Sequence, residues 1–377
     1  MKIIHCADLH LDSPMTSNLD RKKAAERKNE LLGTFSAMTD YAVKEGVRAV
    51  IIAGDLFDRD RVSASARNIV YGVMAAHPEI LFFYLRGNHD QTGGAADQNE
   101  IPANLRLFGK EWTSYELLEG MKGDGRITIT GRELAGSAEP LSGDQTEDGQ
   151  FIMDPRSFNI VVLHGQLSSY GSLARPDEID LRRLSGRNID YLALGHVHEY
   201  QRGTLLPGGV YCYPGCLEGR GFDETGEHGF VLLDINTRTG SARDFFVPFA
   251  KRRLYDIDVD ITGCMTTADI SGRILQAMQD VPCRQSDLVR FSLRGEVDVE
   301  CEKNTDYLEQ LFRDKFYFVR ISDMSRLAVD YREYELDISL KGEFVRLVQD
   351  EPGLSEEQKA EMIRCALQAL NEEEICL

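Results

Sequence analysis

The chain has 377 residues, of which 42% are apolar and 28% charged, an ordinary globular composition long enough for two or three folding units. No apolar run reaches the roughly 20 residues that cross a bilayer. The opening MKIIHCADLH meets charge before a signal-peptide core can form, so a cytoplasmic protein without a membrane partner is expected. A net charge of −19 argues against a general electrostatic binder of nucleic acid, while leaving room for a local basic groove and for acids that bound cations neutralise.

In chain order, short apolar runs alternate with helical patterns, the signature of a layered α/β architecture. Lys2–Ala7 predicts a strand, and residues 29–45 a helix with Leu31, Leu32, Phe35, Met38 and Ala42 on one face. Val47–Ala53 is a Val- and Ile-rich strand, residues 64–76 a helix, and residues 80–85 an apolar strand. Further strands are expected at 127–130, 159–163, 191–194, 210–213, 230–235 and 244–249, with an irregular excursion over 131–156. After Pro248 the texture changes. Strand 254–261, helix 268–278, strand 288–294, helix 304–312 and strand 317–321 predict a separate α+β domain. From Ile338 the pattern is helical, with a capping box at Ser355 and Gln358 and with Ile363, Leu367 and Leu370 on one face. The domains expected are 1–250, 251–335 and a helical segment 336–377.

The eight cysteines are scattered and include no C-x-x-C pair, which fits free thiols in a reducing compartment. Cys212 and Cys216 are the one close pair, but two further soft ligands for a zinc site are not evident beside them.

Metal-ligand residue types stand just after five predicted strands, where loops emerge and ligands gather. They are Asp8-Leu9-His10, Gly54-Asp55-Leu56-Phe57-Asp58, Gly87-Asn88-His89-Asp90, His164-Gly165 and Gly195-His196-Val197-His198. Residues two apart on extended chain face the same way, so Asp8 with His10, and His196 with His198, can each present two donors together. The set is carboxylate, imidazole and amide without thiolate, which favours Mn or Fe over a structural zinc. Any one of these motifs alone is weak; five in order are specific. His5, on the strand face opposite Asp8, His77 before Pro78, and His228 in a Gly-rich turn are read as structural.

This ordered set resembles the calcineurin-like metallophosphoesterases over roughly residues 1–250. Within them HCADLHLD, RGNHD, and Tyr213-Pro214-Gly215 followed by Glu218, Gly229 and Phe230 resemble the SbcD-type DNA repair exonucleases, nearest the YhaO-type branch. Cys216 stands where many relatives have serine. The resemblance implies a core of two packed mixed β-sheets flanked by helices, with a small α+β capping domain and C-terminal helices. It implies two divalent metal ions, most often Mn, with Fe or Zn admitted. Asp8, His10 and His198 would hold one and Asn88, His164 and His196 the other, with Asp55 bridging. His89 would act on the phosphate, donating a proton to the leaving 3′ oxygen or stabilising charge. Asp58 and Asp90 would orient an imidazole, or are simply exposed or capping acids.

The implied partners are DNA, an SbcC-type SMC-like ATPase docked by the 338–370 helices, and a second copy of the chain as a homodimer. The basic residues Arg21, Lys22, Lys23, Arg27, Lys28, Arg59 and Arg61 are solvated helix faces or phosphate contacts. Three functions compete: a Mn-dependent DNA nuclease, a two-metal phosphoesterase acting on a small phosphodiester or phosphoprotein, and a non-catalytic DNA-end tethering subunit.

Overall fold

A computed structural model describes residues 1–15, 19–58, 62–88, 101–118, 125–133, 153–168, 178–298, 301–328, 334 and 337–370. His89, Asp90, Arg59, Arg61 and most of the 131–156 excursion lie outside the described residues. The chain divides into two compact units, Met1–Arg252 and Arg253–Leu377.

The first unit is built on twelve principal strands. These are β1 (Lys2–Cys6), β2 (Val47–Ala53), β3 (Leu81–Leu85), β4 (Leu105–Leu107), β5 (Thr113–Leu118), β6 (Arg126–Gly131), β7 (Ser157–His164), β8 (Tyr191–Gly195), β9 (Gln201–Leu205), β10 (Gly209–Tyr213), β11 (Gly229–Asn236) and β12 (Ser241–Pro248). They form two six-stranded sheets, ordered β12-β11-β1-β2-β3-β4 and β9-β10-β8-β7-β6-β5. Both are mixed: β1 through β4 run parallel while β11 is antiparallel to β1, and β6, β7, β8 and β10 run parallel with antiparallel β5 and β9 at the edges.

The two-residue period of a strand decides which side chains meet. From β1 and β2, Ile3, Ala49, Ile51 and Ala53 point between the sheets, where they join Ile129, Ile160, Val162 and Ala193 of the second sheet. Ile4, Cys6, Val50 and Ile52 point the other way, onto helices α1 (Arg21–Glu45) and α2 (Ala64–Ala76) through Leu31, Phe35, Met38, Val70 and Met74. Being buried on both faces, the central strands read as continuous apolar runs, which made them easy to find. The strands not foreseen, β4, β5 and β9, are all at or beside sheet edges, where one face needs no apolar side chain.

Helix α1 begins at Arg21, well before the expected residue 29, because Asp20 caps it by accepting from the backbone N–H of Lys22 and Lys23. Gly46 ends it at φ 67°. The early turns carry charge rather than apolar side chains, so their helicity leaves no apolar stripe. One of those charges corrects the sequence reading. Arg27 belongs neither to a solvated face nor to a phosphate-binding one; it is fully buried, and its guanidinium donates to Glu30, Glu218 and the Gly219 carbonyl. Lys28 pairs with Asp12 at 2.6 Å.

In the second unit β13 (Leu254–Asp260), β14 (Leu288–Arg294) and β15 (Phe318–Asp323) form a parallel sheet joined by α3 (Thr267–Ala277) and α4 (Thr305–Phe312). Ile257, Val259, Val289, Phe291, Leu293 and Ile321 pack against Ile270, Ile274, Leu308 and Phe312 of the helices. Helices α5 (Leu340–Gln349) and α6 (Glu356–Leu370) close a small core of Val345, Val348, Ile363 and Leu367. Ser355 and Gln358 exchange the two capping hydrogen bonds. Leu370, expected on the buried face, is exposed and stands outside this core. No helix among the described residues is long and apolar enough to cross a membrane.

Glu30 accepts from Arg27, Lys251 and Arg252. Burial opposes its charge, but the three cations hold its carboxyl down at about 2. Its contribution is therefore present above the ordinary carboxylate range, near 4.5, and is lost as pH falls towards 2. Glu30→Gln should cost on the order of 1–2 kcal/mol at pH 7. Urea unfolding at both ends of that range should show the difference from wild type vanish by about pH 2.

Candidate metal centre

The parallel strands β1, β2, β3, β7 and β8 all bring their C-terminal ends to one margin of the sandwich, the place where α/β sheets collect ligands. Strand pairing continues irregularly past the strand ends. Asp8 N–H donates to the Gly54 carbonyl, His10 N–H to that of Asp55, and Leu11 N–H to that of Leu56. The segments after β1 and β2 are thus laced together, and His196 N–H donates to both Asp8 carboxylate oxygens at 3.0 and 2.9 Å.

Backbone strain is concentrated here. Asp8, His10, Asp55 and His196 have φ of 52°, 44°, 48° and 103°, a region that costs a side-chain-bearing residue about 1–3 kcal/mol each. Strain persists only where its surroundings enforce it, and four ligand-type residues share it.

Two groups of donors result among the described residues. Asp8, His10 and His198 form one; Asp8, Asp55 and His164 form the other, and in each the donor atoms lie within 4.8 Å of one another. Asp55 Oδ2 is 3.8 Å from His10 Nε2 and 3.4 Å from His164 Nε2, so its carboxylate stands between the groups. Asn88 Oδ1 lies 2.9 Å from His164 Nε2. The His196 ring meets the His164 ring edge-on, with centroids 5.4 Å apart.

The tautomers follow from the partners at the far ring nitrogens. His164 Nδ1 donates to the Ala53 carbonyl at 2.9 Å, and His198 Nδ1 to Glu224 Oε1 at 2.7 Å. His10 Nδ1 faces Asp58 Oδ1 at 3.2 Å. In its neutral form each ring then presents an Nε2 lone pair inward. His10 Nε2 and His198 Nε2 face each other at 3.2 Å, and His164 Nε2 faces the Asn88 oxygen. Acceptors opposed at such distances require an electrophile between them, a proton or a cation, and the donor set of carboxylate, neutral imidazole and amide oxygen fits divalent metals. Burial disfavours a charged His164, yet Asp55 and Asp8 outweigh it and push its pKa up to about 9.

The remaining sequence candidates are placed as follows. Asp58 pairs with His10 and with Arg220. His5 donates to or accepts from Tyr191 Oη at 3.0 Å, His77 caps α2, and burial takes His5 down to about 3. Cys212 and Cys216 are buried free thiols, and Cys216 Sγ lies 3.2 Å from His228 Nδ1. Sequence reasoning missed Arg220 and Glu224. Their signal was an Arg and a Glu four residues apart in a Gly-rich turn after the His-x-His motif.

Three supports hold the loops. Arg86 forms a two-pronged pair with Glu133, tying the β3 end to the β6 end beside Asn88. Tyr213 Oη donates to the Gly165 carbonyl and accepts from Leu167 N–H, fixing the turn after His164. Glu218 accepts from Arg27, Thr34 and the Lys251 N–H, pinning the 214–224 loop to α1. Close packing explains Gly195: a Cβ there would stand 1.8 Å from the Ala53 carbonyl oxygen.

The same substitution should therefore have opposite signs at two sites. Gly195→Ala should lower stability by about 3 kcal/mol or more. Gly33→Ala, inside α1 with nothing within 4 Å of the new Cβ, should raise it by about 0.5–1 kcal/mol. Denaturant midpoints of the two variants check both.

Residues 1–200 match the family model described as calcineurin-like phosphoesterase. The chain is 30% identical over 245 residues to "Uncharacterized metallophosphoesterase YhaO" of Bacillus subtilis strain 168, covering 62% of this chain and 57% of that protein. It is 24% identical over 253 residues to "DNA double-strand break repair protein Mre11" of Methanopyrus kandleri, covering 63% and 54%. Against the Mre11 protein of Sulfolobus acidocaldarius the identity is 23% over 351 residues, covering 90% and 86%. The chain thus spans little more than half the length of the first two relatives.

Proposed function

The chain belongs to the calcineurin-like phosphoesterase family, and from that premise we propose that it is a Mn²⁺-dependent DNA nuclease, an exonuclease acting on ends in repair. The family and the two donor clusters support a metal-dependent hydrolase. The observation that carries the reading is the pair of clusters sharing Asp8 with the Asp55 carboxylate between them. Relatives named as double-strand break repair proteins support DNA as the substrate.

In this reading Asp8, His10 and His198 would hold one cation and Asn88, His164 and His196 the other, with Asp55 placed to serve both. Two such cations supply Lewis acidity, making water nucleophilic at neutral pH and offsetting charge on phosphoryl oxygens. An oxygen and nitrogen donor set without thiolate fits Mn or Fe better than a structural zinc, and the family resemblance favours Mn. Asp58 and Glu224 keep the Nδ1 protons of His10 and His198 in place, so that both rings offer Nε2 inward. Next to Asn88 in the sequence, His89 donates a proton to the leaving 3′ oxygen or stabilises charge on the phosphate, and Asp90 is a candidate to orient an imidazole.

The first unit is the nuclease and residues 251–335 are a capping domain. Residues 336–377 dock on an SbcC-type ATPase in the cytoplasm, and the nuclease works as a homodimer. Exposed Leu340 and Leu347 on α5, with exposed Ile338 just before it, support a docking role.

Mn²⁺-dependent release of nucleotides from end-labelled linear duplex DNA tests the proposal. Chelation should abolish it, Asp55→Asn should remove most of it together with bound metal, and His89→Asn should slow it about 10²–10⁴-fold with metal retained. Equal rates for wild type and His89→Asn would overturn the assignment of His89. The acidic chain motivates one rival, a small phosphodiester substrate. Robust turnover of bis(p-nitrophenyl) phosphate without salt-dependent DNA binding would favour that rival.

A further inference from the structure

Behind the facing imidazoles lies a closed chain of charges, of which the reading above uses only the two carboxylates and not the guanidinium that joins them. Arg220 NH1 donates to Asp58 Oδ1 at 2.9 Å, and Asp58 Oδ1 lies 3.2 Å from His10 Nδ1. On the other side Arg220 NH2 donates to Glu224 Oε1 at 2.8 Å, and Glu224 Oε1 accepts from His198 Nδ1 at 2.7 Å. The Arg220 backbone N–H also donates to Glu224 Oε2 at 2.7 Å. Running His10, Asp58, Arg220, Glu224, His198, the circuit closes where His10 Nε2 and His198 Nε2 meet at 3.2 Å. Its carboxylates are largely buried: the Glu224 side chain is 5% exposed and that of Asp58 16%.

We propose that Arg220 and Glu224 are positioning residues that lock His10 and His198 as one unit, so that a single guanidinium sets the orientation and tautomer of two ligands to the same cation. The inference rests on the metal-centre reading above. Its physical basis is geometric. A carboxylate behind an imidazole fixes which nitrogen carries the proton and which way the ring turns. Two independent carboxylates would let the rings turn separately, and neighbouring anions would repel. The planar fork of Arg220 spans both carboxylates, offsets that repulsion, and makes rotation of the His198 ring break a charge-assisted hydrogen bond and rotation of the His10 ring a close charge contact. A lysine, with one point charge, cannot bridge the two in that plane. Glu218 completes the device from the other side of the same loop, since its contacts with Arg27 and Thr34 keep Arg220 and Glu224 from drifting.

The test measures binding of Mn²⁺ alone to the metal-stripped full chain by calorimetry and electron paramagnetic resonance. Wild type should bind two Mn²⁺. Glu224→Ala and Arg220→Ala should weaken one site about 10–100-fold and leave the other unchanged. Arg220→Lys, which keeps the charge and loses the fork, should fall between and guards against a variant that fails to fold. Long-range ¹H–¹⁵N NMR on histidine-labelled protein should show the single Nδ1–H tautomer of His198 become a mixture in Glu224→Ala, a change that loss of general stability does not produce. Folded Glu224→Ala and Arg220→Lys with two wild-type sites and an unchanged tautomer would overturn the proposal while leaving the metal centre standing. A wild-type chain that binds no Mn²⁺ would overturn the metal centre itself, and the proposal with it.

Discussion

Two imidazole nitrogens 3.2 Å apart need a proton or a cation between them. His10 and His198 are in that position, and His164 with the Asn88 oxygen repeats it a few ångströms away. Most of what is unusual in the first unit serves to keep these acceptors opposed. Left to relax, the rings would turn and the carboxylates separate. Instead each ring is anchored from behind, by a backbone carbonyl for His164 and by carboxylates for the other two.

The sandwich supplies the rigidity. Strand residues alternate between a core shared by the sheets and a core shared with α1 and α2, so a strand end cannot shift without disturbing both. That packing sustains four non-glycine ligand-type residues in left-handed backbone and leaves no room for a side chain at Gly195. The strain is local and the compensating burial is distributed, a common arrangement at sites whose geometry matters more than their stability.

Net charge proves a poor guide to this chain. Many of its acids have structural uses: Asp20 and Asp180 cap helices, Asp269 completes a capping box, and Glu30 and Glu218 neutralise the buried Arg27. Asp8, Asp55, Asp58 and Glu224 surround the metal centre, where a cation would offset them. The acidity of −19 therefore describes the whole surface and says little about the margin where the strand ends converge.

The order of motifs after successive apolar strands was legible because both properties are local: a buried parallel strand is a continuous apolar run, and its ligand sits a residue or two beyond its end. Helix α1 was only half legible, since its first turns are charged and held by the Asp20 cap. The edge strands β4, β5 and β9 were hidden for a related reason, as an edge carries no obligatory apolar face. Sequence alone determined which residues could be ligands and which strands would carry them. Tertiary structure decided that Asp8 serves both clusters, that Arg27 lies inside, and that Arg220 and Glu224, more than 160 residues from Asp58 and 20 or more from His198, stand behind two rings at once. Such pairings depend on where separate chain segments meet, and spacing along one chain does not encode the distance between segments.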